Sequence, residues 1–314
     1  MKTCFIFNPQ SGANRGRPGL RDLIEAHIHE HALDAELATT ERPGHATHLA
    51  REAARTGHEV VVAVGGDGTV NEIAQGLVGT RTALALVPCG SGNGLALHLG
   101  LPRNLTAALR LASGTGAAVR RIDTGEVNGR PFVNVMGLGL DAEISGRFNR
   151  LRRRGLAGYL LAGTAALRAH RPFRCRITGE GVSETVDLAV LAVANSDQYG
   201  NHARIAPGAC VDDGRLNLVG IRAVGLAGSL ALLPRLFLGT LDRSPHVVHW
   251  RGARFLVERT SPGLIHTDGE THPAEDRLEI SVRPGSLRLM VPAGSRSAIP
   301  SASSRNHTFA LQLP

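Results

Sequence analysis

The chain reads as an α/β plus β protein: an N-terminal parallel α/β domain over residues 1–122, then an antiparallel β-sandwich domain over 123–291, with a cleft between them. Three observations predict this. Unbroken apolar strands alternate with amphipathic helices in the first third, the pattern of a parallel sheet covered on both faces. Short strands separated by Gly, Pro and Asp turns fill the remainder, the pattern of a sandwich or barrel. Glycine-rich loops stand at three successive strand ends, where open parallel sheets hold their ligands.

The first 112 residues form four βα units. Strand CFIF (4–7) runs through NPQSGANRGRPG into a helix with Leu20, Leu23, Ile24 and Ile28 on one face. Strand AELAT (35–39) precedes a helix carrying Ala46, Leu49, Ala50, Ala53 and Ala54. Strand VVVAV (60–64) leads into Val70, Ile73, Ala74 and Leu77, the i, i+3, i+4, i+7 spacing of a buried stripe. Strand LALV (84–87) passes through PCGSGNG into another helix. From residue 119 the texture changes. VRRIDTGEV, the turn Asn128-Gly129 and PFVNVMGLG predict a hairpin with a type I′ turn. Further short strands follow, with mostly helical insertions near 151–170 and 223–241. The segment 292–314, poor in apolar residues, either returns to the first domain or is disordered.

Composition narrows the function. No apolar run reaches the ~18 residues of a membrane span. The opening MKTCFIFNPQSG is too short for a secretory signal, so a cytoplasmic setting is expected. Cys4, Cys89, Cys175 and Cys210 are far apart and read as reduced thiols. The net charge of +8 is local: nine arginines and no acid lie between Glu143 and Glu180. With aromatics at only 4%, nucleic acid is not the expected partner. Lys2 is the only lysine, which excludes a Walker A lysine and a protein-kinase strand lysine. His27 and His31 stand one helical turn apart but lack a third ligand, and read as surface histidines.

The strand-end loops carry the chemistry. NPQSG (8–12), GGDGT (65–69) and GSGN (90–93) each open towards a helix N-terminus, where free amides and the helix dipole favour anions. Glycine admits close backbone approach. Gly65-Gly66-Asp67-Gly68 is not the G-x-G-x-x-G of dinucleotide folds. A carboxylate among phosphate-facing amides implies Mg²⁺ or a proton-accepting role for Asp67. A plain helix cap is the structural alternative.

VVAVGGDGTVNEIAQGL, LALVPCGSGNGLALHLGLP, IAPGACVDDGRLNLVGI and HTDGE, in that order, resemble the signature of the diacylglycerol kinase catalytic-domain family over residues 3–291. GGDG alone is shared with NAD kinases and phosphofructokinases, so the ordered set matters more than any one motif. The resemblance implies ATP as phosphoryl donor, Mg²⁺, and a lipid hydroxyl as acceptor. It assigns Asn8, Pro9, Gln10, Ser11, Gly12 and Thr40 to the nucleotide site, with Gly65, Gly66, Asp67, Gly68, Thr69, Val70 and Asn71 around the phosphates and Ser91 touching the nucleotide. It implies a structural Mg²⁺ held by the Asp213 side chain and the carbonyls of Cys210 and Arg215. Glu270 of Asp268-Gly269-Glu270 matches the proton acceptor, and Asp67 is its rival.

The segment RFNRLRRRGLAGYLLAGTAALRAHRPFR reads as an interfacial helix that dips apolar residues into an anionic membrane surface. The apolar LAGSLALLPRLFLGTL could line an acyl-chain pocket or pack on the sandwich. An exposed sandwich edge could pair two copies as a homodimer. The expectation is a peripherally membrane-associated lipid kinase acting on diacylglycerol or a related lipid. Its rivals are a sphingosine- or ceramide-type kinase, an NAD kinase-like enzyme with a soluble acceptor, and a non-catalytic nucleotide- or lipid-binding protein.

Overall fold

Parallel pairing organises the first half of the molecule. The structure is a computed structural model that describes residues 1–12, 14, 19–150 and 172–295. Its elements begin β1 (Thr3–Phe7), α1 (Leu20–Glu30), β2 (Ala35–Thr39), α2 (His45–Arg55), β3 (Val60–Gly65), α3 (Asp67–Leu77), β4 (Ala83–Pro88), α4 (Gly94–His98) and α5 (Leu105–Ala112). The strands lie side by side in the order β2-β1-β3-β4, all parallel. Every residue of β1 and β3 is buried, because helices cover both faces. On one face Ile6, Val61 and Ala63 pack with Ile73, Ala74 and Leu77 of α3 and the alanines of α2. On the other, Phe5, Val62 and Val64 pack with Leu20 and Ile24 of α1 and Ala108 and Leu109 of α5. Each such aliphatic side chain, fully buried, contributes ~1.5–3 kcal/mol of transfer free energy.

The second half comprises β5 (Ala117–Val127), β6 (Arg130–Phe132), β7 (Val135–Gly139), α6 (Leu140–Arg150), β8 (Phe173–Gly179), β9 (Val182–Ala194), β10 (Leu216–Arg222), α7 (Leu226–Leu238), β11 (Val247–Gly252), β12 (Arg254–Arg259), β13 (Gly263–Thr267), β14 (Glu270–Ala274) and β15 (Arg277–Pro292). Its pairing is antiparallel, in the order β14-β13-β7-β9-β8-β12-β15, with β10 and β11 added to β9. The expected α/β plus antiparallel β architecture is what the chain adopts. Asn128 and Gly129 both take positive φ, as the turn between β5 and β6 requires.

The two halves share one sheet. β15 pairs with β12 near its start and runs antiparallel to β5 along its length, and its Arg288 and Leu289 pair in parallel with Ala83 and Leu84 of β4. Leu278 and Ile280 therefore sit in the core of the β half, while Leu287, Leu289 and Val291 sit in that of the α/β half. A single strand carries the rigidity of one half into the other.

The segment 223–241, expected as a mostly helical insertion, contains one helix, α7, with Pro234 inside it. Leu232 of this helix is buried against β7, β9 and β10 residues. The arginine-rich insertion 151–170 lies outside the described residues, as does the tail beyond residue 295. No helix among the described residues is long and apolar enough to cross a membrane. All four cysteines are buried and unpaired with one another. His27 differs from its surface expectation: it is 7% exposed and its Nε2 lies 2.9 Å from Ser113 Oγ, because that helix face packs towards the end of α5.

The last turn of α3 is held by close helix packing. A Cβ on Gly76 would lie 2.8 Å from both Thr47 O and Ala50 Cβ of α2. Alanine there gains ~1 kcal/mol of helix propensity but meets backbone that cannot retreat cheaply. Gly76→Ala is expected to destabilise the protein by about 1–2 kcal/mol net, read as a lowered denaturant midpoint; an unchanged or raised midpoint would contradict the packing.

Candidate active site

One cleft of about 640 Å³ gathers the predicted loops. It is lined by Asn8, Gln10, Ser11, Gly12 and Thr40 from the ends of β1 and β2, and by Gly66, Asp67, Gly68, Thr69, Val70 and Asn71 at the start of α3. Ser91 joins them from the loop after β4, and Glu270 and Asp268 enter from the β half. Pro9 and Gly65, predicted with them, belong to the same two loops but are not among the residues that line the cleft.

Local chemistry explains each loop. Asn8 Oδ1 accepts the Gln10 amide at 2.9 Å, closing an Asx turn, while its Nδ2 donates to Thr69 Oγ1 at 2.9 Å. One asparagine thus shapes the first loop and ties it to the second. Thr69 folds back over the end of β3. A Cβ on Gly65 would lie 2.5 Å from its Oγ1, so the first glycine of GGDGT makes room for Thr69. No side chain caps α3, whose first turn opens into the cleft. Its leading amides form the natural anion site of this fold. Asn71, buried on the same turn, has an Nδ2 donor with no hydrogen-bond partner.

The glycines of GSGN have a different cause from the one the sequence suggests. A Cβ on Gly90 would meet the Asn93 Oδ1 at 2.8 Å, and one on Gly92 would meet Asp67 Oδ2 at 2.7 Å. One on Gly94 would meet Asn134 Nδ2 at 2.6 Å and Tyr199 O at 3.0 Å. Asn201 N donates to Gly92 O at 3.1 Å. These glycines let the loop pass between α3 and residues 199–201 of the β half. They serve backbone packing more than phosphate contact, and Ser91 alone of the four faces outward, exposed in the cleft.

Asp67 has both oxygens engaged. Oδ2 accepts the Asn93 amide at 2.8 Å and Oδ1 accepts the Gly94 amide at 2.7 Å. Its carboxylate caps α4 from the first residue of α3. Burial raises its pKa, and the two amides act in the opposite direction. Glu270, by contrast, projects from the β13–β14 turn across the cleft. A Cβ on Gly68 would lie 4.0 Å from Glu270 Oε1. Burial, then the neighbouring Glu72 and Asp268, raise the Glu270 pKa above the ordinary glutamate range.

Asp268 holds that turn. Its Oδ2 accepts the Val133 amide at 2.8 Å, and its Oδ1 accepts those of Asn134 and Val135 at 2.8 and 3.0 Å. Burial pushes its pKa up to about 6, against the pull of those three donors. The lining contains Glu41, Asp67, Glu72, Asp268 and Glu270 but only Arg42 as a permanent cation among described residues. An acidic cleft with bare helix amides suits a polyphosphate that arrives with a divalent cation.

Comparison with known proteins settles the family. Residues 2–127 match the model of the diacylglycerol kinase catalytic domain, and residues 134–291 match that of the YegS C-terminal NAD kinase beta sandwich-like domain. The chain belongs to the diacylglycerol kinase catalytic-domain family of lipid kinases. A relative in Salmonella paratyphi A named "Probable lipid kinase YegS" is 31% identical over 297 residues, covering 92% of this chain and 95% of the relative. A "Probable lipid kinase YegS-like" of Klebsiella pneumoniae is 29% identical over 289 residues, covering 90% and 94%. The solved structure of a diacylglycerol kinase from Bacillus anthracis strain Sterne shares the fold at TM-score 0.70 and 20% identity, covering 94% of this chain and 98% of that one.

In this lipid kinase the Asp-Asp-Gly turn lies apart from the cleft lining. Asp213 Oδ2 meets Arg251 Nη2 at 2.5 Å, and Asp213 Oδ1 accepts the Arg215 amide at 3.0 Å. Asp212 accepts Arg120 at 2.6 Å and Cys210 Sγ at 2.9 Å. Guanidinium groups thus stand against Asp212 and Asp213 in the turn that also holds Cys210 and Arg215. Among the described residues no group of three His, Cys, Asp or Glu side chains is placed to hold a metal.

Sequence reasoning missed Glu72, Asp141, Tyr199 and His266. Asp141, Tyr199 and His266 come from separate elements with no motif spacing between them, and no signal in the sequence joins them. Glu72 was legible, because it follows Asn71 in the quoted motif and shares a helix turn with Gly68.

Asp67→Ala leaves two amides at the start of α4 without acceptors, which costs about 1–3 kcal/mol. Denaturant unfolding is expected to show that loss, with a raised KM for ATP and measurable residual turnover. Collapse of kcat at full stability would instead mark Asp67 as the proton acceptor.

Proposed function

We propose that the protein transfers the γ-phosphoryl group of ATP to the primary hydroxyl of diacylglycerol or a related lipid, with Glu270 as proton acceptor. The observation that carries this is the reach of Glu270 from the β half to the first turn of α3. It joins a phosphate-binding helix start and a general base in one cleft. The triphosphate would lie along the amides of α3 and the Asn8 and Ser11 loop. The acceptor oxygen forms its bond to the γ-phosphorus as the bond to the β,γ-bridging oxygen breaks. The hydroxyl proton passes to a Glu270 oxygen, and ADP leaves with the bridging oxygen.

A divalent cation, Mg²⁺ in this proposal, fits the excess of carboxylates in the lining. Among the described residues no three-carboxylate cage stands ready, and Glu72, whose Oε2 accepts the Ala46 amide at 3.1 Å, would hold the cation through its other oxygen. Bound there, it supplies charge neutralisation to the transferring group.

The lipid acceptor is supported by α7. Leu233, Leu236 and Phe237 line the same cleft as the phosphate loops, and Leu230 and Leu238 of that helix are 56% and 74% exposed. A helix apolar towards both cleft and solvent suits an acyl chain entering from a bilayer. A soluble acceptor such as NAD would leave these leucines without a role. The peripheral association proposed from the arginine-rich insertion agrees in kind with this helix.

Two measurements test the reading. Labelled ATP offered with vesicles of diacylglycerol, sphingosine or ceramide, and separately with NAD, is expected to mark a lipid and leave NAD unmarked; label on NAD alone would reject the proposal. Glu270→Gln is expected to lower kcat by roughly 10²–10⁴-fold. Because Glu270 acts deprotonated and its pKa is raised, wild-type kcat should fall with decreasing pH at a midpoint above the ordinary glutamate value of ~4.3. An acid limb at or below that value, or a fully active glutamine variant, would remove Glu270 from the role.

A further inference from the structure

Beside the turn that carries Glu270, with Tyr199 and His266 on the wall of the same cleft, lies a buried polar chain that the mechanism above does not use. His266, near the end of β13, is 2% exposed, and Asp141, in the first turn of α6, is 3% exposed. His266 Nε2 stands 2.9 Å from Asp141 Oδ2, and the Tyr199 hydroxyl donates to that same oxygen at 2.6 Å. On the far side of the ring, His266 Nδ1 accepts the Gly269 amide at 3.2 Å. The ring's other nitrogen, Nε2, is buried beside the Asp141 carboxylate without a hydrogen-bond partner of its own, so proximity to that carboxylate and the Gly269 amide fix the ring.

The fold makes room for this arrangement. Gly137 of β7 is the register partner of His266, and a Cβ there would overlap Asp141 Oδ2 and lie 2.6 Å from His266 Nε2. Burying a carboxylate and an imidazole is costly unless each is matched. The Asp268-Gly269 turn, with φ of +50° and +88°, is one that an Asp-Gly pair forms unaided. Turn formation therefore does not account for the chain. What it does govern is the amide of Gly269, the residue immediately before Glu270.

We propose that His266, oriented by Asp141 and Tyr199, is a positioning residue: it anchors the Gly269 amide so that the Glu270 carboxylate stays over the first turn of α3. Asp268 secures the same turn from its other side through residues 133–135, so the two anchors together leave the carboxylate little freedom. This rests on the reading of Glu270 as proton acceptor. Misplacing a reacting group by about an ångström costs up to ~10²-fold in rate, so the anchor has a measurable effect.

The test is a double-mutant cycle in ATP turnover with diacylglycerol vesicles, using His266→Leu, Glu270→Gln and the pair, with thermal melts alongside. His266→Leu is expected to lower kcat about tenfold or more with the KM for ATP within about twofold of wild type. It should add no further loss in the Glu270→Gln background. His266→Asn, whose Oδ1 replaces Nδ1 as acceptor for Gly269, should recover kcat to within about threefold. Multiplying losses in the pair, equal damage from Leu and Asn, or a loss confined to KM would overturn the positioning role while leaving Glu270 in place. A fully active Glu270→Gln would bring down both readings. Should His266→Leu not fold, Tyr199→Phe enters the same cycle. It is expected to lose about threefold in kcat, a loss absent from the Glu270→Gln background, and a multiplicative loss there overturns the proposal.

Discussion

The carboxylate of Asp67 on the amides of Asn93 and Gly94 is the constraint around which the cleft is built. It lies at the first residue of α3 and binds the loop after β4, and that loop in turn touches residues 199–201 of the β half. Three segments distant in sequence are thereby held at backbone contact. Such contact is open only to glycine, which is why Gly66, Gly90, Gly92 and Gly94 cluster there. A negative charge at this point also balances the positive end of a short helix. The same carboxylate also interacts with its own amide, the first of α3, and the later amides of that turn open towards the cleft.

A second carboxylate does the equivalent work in the β half. Asp268 gathers three consecutive amides from residues 133–135, the start of the strand that pairs with its own. The Asp-Gly-Glu turn is consequently a rigid feature of the sheet and not a loose hairpin tip. β15 links the two frameworks by lending its beginning to one core and its end to the other. One continuous sheet runs from the strands that carry Glu270 to β4 beside α3, and so links the two sides of the cleft.

The division of labour between acids follows from these frameworks. Asp67 and Asp268 spend their lone pairs on backbone amides, while Glu270 makes its closest approach to the open turn of α3. Family resemblance offered Asp67 and Glu270 as rivals for one role, and identical residue chemistry could not choose between them. Their environments differ: Asp67 accepts two backbone amides, while Glu270 faces the first turn of α3 across the cleft. At the Asp213 turn, where the family resemblance implies a cation ligand, the carboxylate lies against Arg251.

Local rules were enough to read the βα units, the Asn128-Gly129 turn and the three strand-end loops, because apolar periodicity and turn chemistry act over a few residues. Those rules also brought Asn8, Ser11 and the loop at Gly66 to Thr69 to one edge, since parallel strands deliver their carboxyl ends there, while Glu270, on an antiparallel turn, was joined to them by the family resemblance. What Asp67 binds, why GSGN is glycine-rich, and the union of Asp141, Tyr199 and His266 were decided only by tertiary structure. Each depends on contacts between segments tens to more than a hundred residues apart, and such contacts leave no spacing in the sequence to be read.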